Sequence, residues 1–102
     1  MAQRSLIALL LGIALLLPGA ASAQSCDPNE DDREQARALF IAGGAAVDAG
    51  RWSDAITSFE RAYALSCAPS ALYNLAMAFR ALGRHREARD QFTRLLRQHP
   101  DL

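Results

Sequence analysis

The chain has 102 residues, with 11 arginines and no lysine against 11 acids, so its formal net charge at pH 7 is zero. That length holds one domain at most, and so even a balance excludes the strongly basic surface of a nucleic-acid binder. Two histidines 14 residues apart, with no cysteine or carboxylate at ligand spacing, argue against a metal centre, and the lack of Cys-x-x-Cys argues against a redox enzyme.

The first 23 residues read as a separate object. Arg4 supplies a positive start, Leu6 to Leu17 is an apolar run broken only by Gly12, and Pro18-Gly19 ends it. Ala21-Ser22-Ala23 then places small residues at a cleavage site before Gln24, the build of a secretory signal peptide. The run is short of the roughly 20 residues that a membrane-spanning helix needs. Cys26 raises a lipoprotein anchor as a rival, but the residues before it lack the usual leucine three positions upstream. The expectation is an exported protein, periplasmic or secreted, with no membrane span after cleavage. An arginine-only basic complement fits GC-rich, bacterial coding better than it fits any chemistry.

Residues 24–35 form an acidic, partly helical lead-in. Asp27-Pro28-Asn29-Glu30 offers an N-cap, a proline at the first helical position and a capping-box glutamate. Asp31-Asp32-Arg33-Glu34 makes the same offer four residues later, and either way the acids suit the positive end of a helix macrodipole. The first helix is expected to begin between 28 and 33 and to run to Ala49. Gly50 stops it, since glycine takes the positive φ of a helix C-terminus without a Cβ penalty. A second helix is expected over 53–66 with Ser53 as N-cap. A third spans about 69–82 with Pro69 at its first position, Gly83 stops it, and a fourth spans about 86–98.

The last two helices repeat the first two. Gly50-Arg51-Trp52-Ser53-Asp54-Ala55 lies over Gly83-Arg84-His85-Arg86-Glu87-Ala88, Phe59 over Phe92, and Leu39-Phe40 over Leu72-Tyr73, at a constant offset of 33 residues. A fixed period of this size marks a repeat architecture. Trp52 and His85 are expected to wedge between the paired helices, and Ala55 and Ala88 to let backbones approach. Phe59, Ala62 and Tyr63 make one apolar stripe, repeated by Phe92, Leu95 and Leu96.

These residues resemble the tetratricopeptide repeat, a 34-residue helix–turn–helix. Residues 69–102 fit it at Leu72, Asn74-Leu75-Ala76, Phe79, Gly83, Ala88, Phe92 and Pro100; His85 and Leu95 depart from it. Residues 36–68 fit at Gly43, Gly50, Trp52, Ala55, Phe59 and Ala62, while Ala42 and Ala46 are small and Cys67 replaces the closing proline. The resemblance implies an all-α fold of two tandem hairpins, a fragment of a right-handed solenoid, with units 36–68 and 69–102. It gives Gly43 the family's small position against the second helix. Gly44 has no such reason, and each glycine costs about 1 kcal/mol against alanine.

The same resemblance places Arg37, Phe40, Ile41, Gly44, Val47 and Asp48, then Ser70, Tyr73, Asn74, Met77, Arg80 and Ala81, on the concave face. Phe40, Val47, Tyr73, Asn74, Met77 and Arg80 are the candidate contacts for a peptide or helix of a partner protein. Phe40 and Gly44 stand at two positions of the family's basic carboxylate clamp, so that clamp is missing. Tyr73 and Phe40 alternatively only pack between units.

Two cysteines in an exported chain invite a disulfide. Cys26 and Cys67 come to the same end of a hairpin, but a straight helix from Pro28 would carry Cys26 roughly 15 Å too far. A start near Asp32 lets the intervening residues curl back. An internal bridge, a buried Cys67 with a free Cys26, and an intermolecular bridge all stay open. His85 reads as a turn residue and His99 as a helix C-terminal cation. No serine has a histidine–carboxylate arrangement and no glycine-rich phosphate loop occurs, so no enzyme and no cofactor are expected.

Charge is unevenly placed. Asp27 to Glu60 holds eight acids and three arginines; Arg61 to Leu102 holds seven arginines and three acids. Repeat stacks generally need three or more units and a cap, so the outer face of the second unit, with Phe92 and Leu96, is expected to be partly bare. The reading is an exported, non-enzymatic interaction module. The alternative is a self-assembling unit, or a piece of a longer repeat protein, stacking through that face.

Overall fold

The computed structural model describes residues 26–102, all the secondary structure of which is helical. The signal peptide expected over 1–23 lies outside the described residues. Four helices follow in order: α1 (Glu30–Asp48), α2 (Trp52–Ser66), α3 (Pro69–Ala81) and α4 (His85–Gln98). α1 packs on α2, α2 on α3 and α3 on α4, giving two antiparallel hairpins laid side by side. The buried core runs through both, with Phe59, Leu72 and Leu75 its largest fully enclosed side chains.

The start of α1 uses neither expected cap. Asn29 is the N-cap: its side chain accepts from the Asp32 backbone N–H at 2.8 Å, and the Asp32 carboxylate accepts from the Asn29 N–H at 3.1 Å. Asn29 and Asp32 together close a reciprocal capping box. Residues 26–29 stay outside the helix and turn Cys26 back to Cys67, with Cα atoms 5.8 Å apart and a disulfide between them.

Ser53 is not the cap of α2 either. In both units one turn ends a helix and starts the next. Gly50 (φ 74°) donates to the Val47 carbonyl at 2.9 Å and Arg51 to the Ala46 carbonyl at 2.8 Å. Gly83 (φ 75°) and Arg84 do the same to Arg80 and Phe79, both at 2.9 Å. This paired closure consumes the orphan carbonyls at the helix end. It also fixes Arg51 and Arg84 as the residues from which the next helix departs, since their carbonyls accept from Ala55 and Ala88 at 3.0 Å. Ser53 is left one residue inside α2. The arginine side chains turn instead to acids three residues on, Arg51 Nε to Asp54 at 3.2 Å and Arg84 to Glu87 at 2.6 Å.

Trp52 and His85 occupy equivalent corners, the first residue of α2 and of α4. Trp52 is half-buried against the core, but His85 is exposed and wedges nothing. The second hairpin covers the Trp52 corner, whereas among the described residues no helix lies beyond α4. Gly43 is buried, and a Cβ there would fall 2.5 Å from the Phe59 ring; around Gly44 there is open space.

Candidate functional site

The candidate contact residues divide between two clefts. Val47, Trp52, Tyr73, Asn74, Met77 and Arg80 line an open cleft of about 470 Å³ between the end of α1, the start of α2 and α3. Phe40 belongs elsewhere, to a cleft of about 230 Å³ at the other end, with Arg37 and Ser70. The two are spaced along the face formed by α1 and α3. Five of the six candidates therefore meet, and Phe40 stands apart because its ring is drawn into the core. It meets Phe59 edge to face at 5.4 Å.

The second unit repeats that aromatic pair 33 residues on. Tyr73 meets Phe92 edge to face at 5.9 Å, yet it remains 49% exposed. Packing between helices thus holds one edge of Tyr73 and leaves the rest in the cleft. Asn74 donates from Nδ2 to the Ser70 carbonyl at 2.8 Å, which fixes its amide one turn along its own helix. Arg80 is exposed, sits in the last turn of α3, and has no ion pair among the described residues. The cleft is thus an apolar wall of Val47, Trp52, Tyr73 and Met77 with a cation at its rim, Arg80, that has no ion pair among the described residues. Such a surface can hold an apolar side chain and a neighbouring carboxylate; it offers no nucleophile with a base beside it. Among the described residues no group of three or more His, Cys, Asp or Glu is placed to hold a metal ion, and no helix is long and apolar enough to cross a membrane.

The family model described as tetratricopeptide repeat matches residues 29–71 and, overlapping them, 42–102. The chain belongs to the tetratricopeptide repeat family. No curated protein and no solved structure matches it. Tetratricopeptide repeats generally mediate protein–protein interaction, and the family is a non-catalytic one.

One cluster in this tetratricopeptide pair escaped the sequence reading. Tyr63, near the end of α2, donates its hydroxyl to Gln98 Oε1 at 2.6 Å and lies 3.0 Å from His99 Nε2. The Arg94 guanidinium stacks on its ring at 4.7 Å. Burial pushes the Tyr63 phenol above its ordinary 10.0, with Arg94 pulling the other way. His99 is thus the partner of a tyrosine rather than only a helix-end cation. The cluster ties α2 to the end of α4 and so fixes how the second unit sits on the first. Only the position of Tyr63 in an apolar stripe was visible beforehand. At the other end, the Arg84 hydrogen bond holds the Glu87 carboxyl below the usual range while the same guanidinium lies 4.8 Å over Phe79.

Proposed function

We propose that this tetratricopeptide pair is an exported, non-enzymatic adaptor that holds a segment of a partner protein in the cleft of Val47, Trp52, Tyr73, Asn74, Met77 and Arg80. The observation that carries it is the pairing of an open apolar cleft with an exposed arginine at its rim that has no ion pair among the described residues. The matching segment carries a large apolar side chain next to a carboxylate, the first for the Tyr73–Met77 wall and the second for Arg80. Units 36–68 and 69–102 form the scaffold, and Phe40 serves the core more than the partner.

Export is supported by two independent features. The Arg4, Leu6–Leu17 and Ala21-Ser22-Ala23 sequence has the build of a cleaved leader. The Cys26–Cys67 bridge suits the oxidising conditions outside the cytoplasm. The location proposed is a bacterial periplasm or the medium, with no lipid anchor on Cys26, since its sulfur is bridged.

A random peptide library displayed on phage and selected against the purified protein tests the cleft. The enriched peptides are expected to share an apolar residue flanked by an acid. They should lose about tenfold or more in affinity on a Tyr73→Ala, Arg80→Ala double variant, as central contacts do. Selected peptides that bind the variant unchanged would sink the reading.

A further inference from the structure

α3 is packed between α2 and α4, whereas among the described residues α1 packs extensively on α2 alone. The consequence appears at positions 33 residues apart. Ala71, Leu75 and Ala78 of α3 are at most 2% exposed, while their counterparts Ala38, Ala42 and Ala45 on α1 are exposed. On α1 these three share a stripe with exposed Glu34 and Asp31 in the turns before. α4 carries the other half of the same unfilled junction. Tyr63 of α2 is 5% exposed and its counterpart Leu96 is 68% exposed; buried Ile56 corresponds to exposed Arg89. Leu96, Thr93 and Arg89 share a stripe flanked by Arg86, Asp90 and Arg97, a face of net positive charge.

We infer that the occupant of each face is a second copy of this chain. α4 of one copy lies on α1 of the next and repeats between chains the α2–α3 junction that joins the two units within one. Two features select a copy of the chain over another protein. The two faces occupy the register positions of a junction that this chain already forms, and their charges are opposite. α2 and α3 run antiparallel, joined only by Cys67 and Ala68. The same placement brings the Leu96–Arg97 end of α4 to the Glu34–Ala38 end of α1, and Arg89 toward the Asp48 end. Leu96 then meets the alanine stripe, and arginines meet acids. The contact is head-to-tail, so each copy keeps one α1 and one α4 face for further copies, and growth continues unless the rotation closes a ring. This surface is separate from the partner cleft, and the inference does not depend on the function proposed above.

Sedimentation velocity on the purified protein, from micromolar to millimolar concentration, tests it with Leu96→Glu and Ala42→Glu variants. Both side chains are exposed, and circular dichroism checks that helicity is kept. The unaltered protein should gain mass with concentration beyond a dimer. Each variant alone should associate about tenfold or more weakly, as loss of a central contact does. An equimolar mixture of the two should form dimers and stop there, since the mixture contains one intact α4 face for one intact α1 face. A protein that stays monomeric throughout, variants that associate as the parent does, or a mixture that stays monomeric would each overturn the inference.

Discussion

The Tyr63 hydroxyl donates to Gln98 across 35 residues of sequence, at 2.6 Å, and joins the end of α2 to the end of α4. Neighbouring helices in this stack touch through apolar side chains; this bond skips one helix and sets the angle between the two units. Tyr63→Phe keeps the ring, the Arg94 stacking and the packing while removing the donor. It should cost about 1 kcal/mol, the net worth of one hydrogen bond, read from the midpoint of urea unfolding.

The same residue gives the protein an alkaline limit. Burial raises the folded phenol above 10.0, so the folded state keeps its proton where the unfolded chain releases it. The sign follows: this contribution is whole below pH 10 and is lost as pH climbs through the folded value. Stability measured from pH 8 upward should fall in the parent protein, with the Tyr63 share of the fall absent from Tyr63→Phe. Equal slopes in the two would contradict the assignment.

Gly43 and Gly44 are adjacent and should respond oppositely to alanine. A Cβ on Gly43 would meet the Phe59 ring at 2.5 Å, and Phe59 is fully enclosed. Gly43→Ala should therefore destabilise by about 1–3 kcal/mol, the range for overpacking. Gly44 meets nothing, so Gly44→Ala should stabilise by about 1 kcal/mol through helix propensity. Thermal unfolding of the two variants checks the pair.

Reducing the Cys26–Cys67 bridge should remove about 4 kcal/mol, the loop-closure entropy for a separation of this length. Denaturant midpoints with and without reductant read it directly. The intact mass of protein recovered from an expressing bacterial culture checks the leader: a chain beginning at Gln24, with the mass of an internal disulfide, is expected.

What was legible in the sequence was whatever recurs. The 33-residue offset marked both hairpins, and Gly50 and Gly83 marked both stops, because positive φ at a helix end leaves few choices of residue. Helix limits came within one residue at the Gly50 and Gly83 turns, which recur in both units. Caps were less legible. Ser53 has the right chemistry for an N-cap, but the closure at Gly50 had already chosen Arg51, and local propensity yields to a turn fixed by its neighbours. Asn29 and Asp32 were passed over because three overlapping acid-rich starts compete in one short segment. The Tyr63–Gln98–His99 cluster was out of reach for a different reason: it depends on the angle between units, which no single period encodes. His85 was misjudged because its burial depends on a neighbouring helix, where Trp52 has one and His85 does not.

The cleft between α1 and α3 is the surface proposed to hold a segment of another protein. The direct measurement is a titration of the isotope-labelled protein with a phage-selected peptide, followed by amide chemical shifts. The shifts should centre on Val47, Trp52, Tyr73, Asn74, Met77 and Arg80, with Thr93 and Leu96 unmoved. Shifts centred on α4, or on the face of α2 that carries Glu60 and Ala64, would contradict it.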